Sequence, residues 1–106
     1  MAHYLLVGAS SGIARATAAL LLEQGHSMTT LSRSEAVTDS ADHYMVESYH
    51  PEHLPQLERV IDGLVYFPGT INLKPFHRLK REEFLLDYEV NAFGAVSVVQ
   101  QYLPNL

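Results

Sequence analysis

The chain has 106 residues, 47% of them hydrophobic, which is enough for one compact core and argues against a second domain. Seven basic against twelve acidic residues leave a formal net charge of -5, which argues against a broad nucleic-acid-binding surface. The absence of cysteine excludes disulfides, thiolate metal sites and cysteine nucleophiles. Met1 to Tyr4 carry no basic leader, and no apolar run approaches the roughly 20 residues that span a bilayer, so no membrane partner and a cytoplasmic location are expected.

In chain order, Tyr4-Leu5-Leu6-Val7 reads as a fully buried strand that runs into the glycine-punctuated turn Gly8-Ala9-Ser10-Ser11-Gly12. From Ile13, Ala16, Leu20 and Leu21 recur at helical spacing, and Gly25 supplies a C-terminal stop. Ser27 to Leu31 favour extended chain and give way to the polar loop Ser32-Arg33-Ser34-Glu35. His43 to Ser48 read as a third, short strand. Pro51 then suits the first turn of a helix carrying Leu54, Leu57, Val60 and Ile61 on one face and ending near Gly63. Leu64 to Phe67 form a fourth apolar run, broken by Pro68-Gly69, and Arg78 to Glu83 lead into a long final helix. Strands alternating with helices predict right-handed β-α-β units: a Rossmann-like, doubly wound parallel sheet with helices on both faces, spanning residues 1–106.

The chemistry concentrates at the first turn. Glycines between a strand and its helix let the backbone approach a pyrophosphate, whose charge is met by free amides and the positive end of the helix dipole. Gly8, Ser10, Ser11, Gly12 and Ile13 are the candidate ligands, the two serines adding hydroxyl donors. The spacing in Gly8-Ala9-Ser10-Ser11-Gly12-Ile13-Ala14 differs from the common dinucleotide fingerprint of glycine, one residue, glycine, two residues, glycine. It resembles instead the turn of the short-chain dehydrogenase/reductases: threonine, glycine, three residues, glycine, isoleucine, glycine. Val7 stands in the threonine position and Ala14 in that of the third glycine.

About 20 residues beyond the turn, where NAD-binding folds place a carboxylate on the ribose 2′-hydroxyl, this chain has Ser32-Arg33. Arg33 would pair with a 2′-phosphate and Ser32 would add a hydrogen bond, which favours NADP(H) over NAD(H). The alternative is an arginine solvated on a loop. The resemblance further implies that Glu47 accepts from the adenine amino group, against an equally weighted reading as a surface carboxylate. It places Gly69 beside the nicotinamide ribose, although Tyr66-Phe67-Pro68-Gly69 replaces the asparagine, asparagine, alanine, glycine of the family and keeps only its glycine. Asn91 sits at helical spacing with Phe84, Tyr88, Ala95 and Val98, a polar amide in an apolar stripe that needs partners. By resemblance Asn91 is the asparagine of the catalytic tetrad, which holds a water in a proton relay.

The same resemblance implies hydride transfer between nicotinamide and a small carbonyl or alcohol substrate, with a tyrosine and a lysine four residues after it as acid-base machinery. None of the six tyrosines has a lysine in that position, so the chain is expected to be the first half of a larger single domain and inactive alone. Ala92, Gly94 and Ala95 narrow the final helix, for a second subunit in a homo-oligomer or for packing within one subunit. A non-catalytic nucleotide-binding or interaction module on the same fold is the competing reading. His50-Pro51-Glu52-His53 is the tightest histidine cluster, but no metal is expected there: further ligands are lacking, and His50 before Pro51 more simply begins a helix.

Overall fold

The computed structural model describes residues 1–35, 41–69 and 74–106. Strands β1 (His3–Val7), β2 (Ser27–Ser32), β3 (Asp42–Met45) and β4 (Gly63–Tyr66) form one parallel sheet in the order β3-β2-β1-β4. β1 is central, and Leu5, Leu6 and Val7 are wholly buried because both faces of the sheet are covered. Side chains alternate across a strand, so Leu5 and Val7 join Leu31, Leu54, Leu57, Ile61, Val98 and Tyr102 on one face. Leu6 joins Ala18 and Met28 on the other, beneath helix α1 (Gly12–Glu23). The Rossmann-like, doubly wound arrangement read from the sequence is therefore the observed one.

Helix α1 begins and ends on readable signals. Ser11 caps it by accepting from the Ala14 amide at 3.1 Å. At the other end Gly25, at φ 84, closes a Schellman motif in which the Gly25 and His26 amides donate to the Leu22 and Leu21 carbonyls.

The helix expected after Pro51 does not form. A 3-10 turn spans Pro51–His53, and Leu54 is already extended at φ -83, ψ 129. The cause is Pro55: a proline disfavours the helical conformation in the residue before it and has no amide to donate. Leu54, Leu57 and Ile61 still reach the core, but Val60 is 73% exposed. The backbone groups that a helix would have paired are met instead from the chain's last turns. Asn105 Nδ2 donates to the Leu57 and Arg59 carbonyls, the Ile61 amide donates to the Asn105 carbonyl, and the Tyr102 hydroxyl donates to the Pro55 carbonyl at 2.7 Å.

The final helix is not one uninterrupted α-helix either. Helix α2 (Arg81–Tyr88) and helix α3 (Gly94–Tyr102) are joined by a π-helical turn at Glu89–Phe93. Among the described residues no helix is long and apolar enough to cross a membrane.

Candidate nucleotide-binding site

A cleft of about 720 Å³ opens where the parallel strands end, at the point where strand order reverses between β1 and β4. In open α/β sheets this is the crevice that takes ligands. Its floor is the first turn. Gly8 stands at φ 80, a region that costs any side-chain-bearing residue, and a Cβ there would lie 2.8 Å from the Pro68 ring. The turn is held against β2 by the Gly8 amide, which donates to the Leu31 carbonyl at 2.7 Å. Gly8, Ser10 and Ser11 line the cleft. Gly12 and Ile13 are the first two residues of α1, where amides have no carbonyl within the helix to bond; the Ile13 side chain itself is 75% exposed. Ser11 accepts the Ala14 amide and so keeps its hydroxyl proton available to an anion.

Arg33 and Ser34 line the cleft from the end of β2, and Glu47, Ser48, Tyr49 and His50 from the end of β3. Ser32 does not line it. The Ser32 side chain is buried, donating to the Ser34 carbonyl at 2.8 Å and accepting from the Ser34 amide, so the hydroxyl expected to assist Arg33 is turned inward and shapes the turn. The Glu47 carboxylate reaches the His53 ring at 3.5 Å, and the Ser48 hydroxyl meets the other nitrogen of that ring at 2.6 Å. His50 accepts the Glu52 amide, which accounts for it as the cap of the short turn. Among the described residues no group of three or more histidine or acidic side chains could hold a metal.

Tyr66, Phe67, Pro68 and Gly69 form the third wall, and Leu86, Glu89, Val90 and Gly94 the fourth. Tyr49 and Tyr66, which no motif in the sequence singles out, meet edge to face here with ring centroids 6.1 Å apart. Burial pushes the Tyr66 phenol up to about 12, helped by Tyr49 and Glu89. Burial also raises Tyr49, against the opposing influence of the Arg33 guanidinium and backbone. Both are neutral phenols near pH 7, donors rather than bases. The Tyr66 hydroxyl donates to the Val90 carbonyl at 2.6 Å, inside the π turn, where the Gly94 amide bonds five residues back to Glu89.

Asn91 is exposed and does not lie in a buried stripe; Phe84 and Tyr88 are about half exposed as well. The face turned inward carries Gly94, Val98 and Tyr102. Gly94 is the residue that fits against Tyr66: a Cβ on it would overlap the Tyr66 hydroxyl and lie 3.2 Å from Cζ. Asn91 nevertheless stands beside Gly69, its Oδ1 at 3.0 Å from where a Gly69 Cβ would be. The fold thus gathers Gly8, Ser10, Ser11, Arg33, Glu47 and Gly69 on one cleft, leaves Gly12 and Ile13 at its helix end and Asn91 at its β4 end, and turns only Ser32 away.

Known structures extend this architecture. A short-chain dehydrogenase family protein from Francisella tularensis superposes with a TM-score of 0.87 at 18% identity, over 100% of this chain and 47% of that one. The aldohexose dehydrogenase of Thermoplasma acidophilum, free of ligand, gives 0.83 at 20% identity over 98% of this chain and 44% of its own. A Burkholderia multivorans protein described as a short-chain dehydrogenase/reductase, with NADP bound, gives 0.83 at 24% over 98% and 53%. The chain therefore has the fold of these structures and spans about half their length, as the resemblance to an N-terminal half requires. No family model and no curated protein matches the sequence.

Proposed function

We propose that this chain is the nucleotide-binding part of an NADP(H)-dependent oxidoreductase of the short-chain dehydrogenase/reductase type, acting on a small carbonyl or alcohol substrate. The observation that carries the reading is the meeting of the Gly8–Ser11 turn with Arg33 in one cleft at the strand ends. The donor set suits a dinucleotide. The amides of Gly12 and Ile13, with the hydroxyls of Ser10 and Ser11, would hold the pyrophosphate at the helix N-terminus. Arg33 would pair with a 2′-phosphate, and Glu47 would accept from the adenine amino group. When bound, the nicotinamide supplies or accepts the hydride. Gly69 would leave room beside the nicotinamide ribose, and Asn91, next to it, would orient a water for proton transfer. The tyrosine and lysine of the family's acid-base machinery have no counterpart among the 106 residues, so binding is the property to measure on this chain.

The test is calorimetric titration of the full chain with NADPH and NADH. Arg33→Asp should weaken NADPH by about 2 kcal/mol or more, a factor of roughly 30 or above, and leave NADH within a few-fold. Equal losses for both nucleotides would sink the 2′-phosphate assignment, while no binding of either by the unaltered chain would favour an interaction module on the same fold.

A further inference from the structure

His43, on β3, lies outside the cleft lining, yet its ring is tied on both sides. Its Nδ1 meets Thr30 Oγ1 at 2.7 Å and its Nε2 meets the Ser34 carbonyl at 2.9 Å, with Ser32 Oγ at 3.4 Å. A carbonyl only accepts, so Nε2 carries a proton; in the neutral ring Nδ1 is then the acceptor and the Thr30 hydroxyl donates. Thr30 is His43's ladder partner on β2 and is 3% exposed, a fixed anchor in the middle of the sheet. The Ser34 carbonyl accepts from Ser32 as well, and the Ser34 amide donates back to Ser32. Residues 32–34 are thereby closed into a turn whose far end is held by a side chain from the neighbouring strand. Arg33 is the middle residue of that turn, and its own side chain is exposed.

We propose that His43 is a positioning residue for cofactor choice: by fixing the Ser34 carbonyl it sets the direction in which Arg33 leaves the backbone. This rests on the reading of Arg33 as the 2′-phosphate ligand. An arginine loses much rotamer freedom when it clamps a phosphate, and a turn already fixed in the free protein lessens what binding must order. NADH carries no 2′-phosphate, so a loosened turn should tell on NADPH alone.

The experiment is the ratio of NADPH to NADH dissociation constants in the full chain, measured for a series of variants. His43→Phe keeps the ring and loses both bonds; it should weaken NADPH roughly tenfold and leave NADH within about twofold. His43→Gln can still donate to the Ser34 carbonyl and should retain most of the preference. Thr30→Val, close in shape and favourable in a strand, frees one side of the ring and should shift the ratio in the same direction, which keeps the test available if His43→Phe does not fold. In an Arg33→Ala background, His43→Phe should change the ratio no further. Parallel losses for both nucleotides, a shift that persists without Arg33, or an unchanged ratio in folded Thr30→Val and His43→Phe would each overturn the positioning role. If Arg33→Asp weakens both nucleotides equally, the 2′-phosphate reading fails first; if it is selective while His43→Phe is silent, only the positioning role fails.

Discussion

Gly94 and Tyr66 are fitted to each other: the glycine admits a ring where any side chain would collide, and the ring's hydroxyl binds the Val90 carbonyl in the π turn. Gly94→Ala should therefore destabilise the fold by about 1–3 kcal/mol, since overpacking forces a backbone or rotamer shift. Tyr66→Phe alone should cost about 1 kcal/mol for the lost hydrogen bond. Together they should cost less than the two losses added, because removing the hydroxyl removes the atom that the new methyl meets first. Chemical denaturation of the four proteins measures this, and strict additivity would show that Gly94 is required for some other reason. At the same scale the sequence was partly legible. Gly8 was readable because a tight turn between strand and helix demands a positive φ, and Arg33 because its distance from the turn is set by one β-α-β unit. The inward turn of Ser32 was not readable, since its partner Ser34 lies two residues on, past the end of β2, and only the three-dimensional path of the chain there decides which way a hydroxyl points.

At the scale of elements, β1 and β4 follow from apolar runs, β2 from residues that favour extended chain, and α1 from apolar spacing and a glycine stop. Residues 54–61 do not, because their apolar spacing suits a helix while Pro55 forbids one. Apolar spacing reports which residues face a core, and Leu54, Leu57 and Ile61 do face it; it does not report how the backbone between them is satisfied. Asn105 supplies that, from 46 and 48 residues away, by a bond no local pattern encodes. Asn105→Ala should leave the Leu57 and Arg59 carbonyls short of a donor and lower stability by about 1–3 kcal/mol. Asn105→Asp should be no better, since a carboxylate cannot donate to a carbonyl. A midpoint of urea denaturation unchanged in both would mean that water replaces the amide at no loss. The apolar stripe counted from Phe84 fails before the π turn: α2 buries none of its residues, Phe84 and Tyr88 being 48% and 56% exposed, and of that stripe Val98 alone joins Gly94 and Tyr102 on the inward face.

The whole molecule is more extended than its length requires. Its radius of gyration is 14.9 Å, where compact packing of this many residues gives about 13 Å. Its accessible surface is 6927 Å², roughly 1,000 Å² above the scaling for a folded monomer of this mass. Part of that surface is apolar: Val96 and Val99 on α3 and Leu103 just past its end are 51%, 41% and 61% exposed and recur at helical spacing. Gly94, which the sequence offered for close approach by a second subunit, packs inside against Tyr66, which leaves the Val96–Leu103 row as the exposed apolar side of this helix. We propose that this row is the contact of the homo-oligomer expected from the narrow final helix. Sedimentation velocity should show a coefficient that rises with protein concentration, and the Val96→Glu, Val99→Lys double variant should return a concentration-independent monomer with an unchanged far-ultraviolet circular dichroism spectrum. Both substitutions lie on the exposed side, away from Val98 and Tyr102, so the fold should survive them. Self-association that survives the double variant would place the contact elsewhere, on the exposed Phe84–Leu86 side of α2 or the outer edge of the sheet at β3.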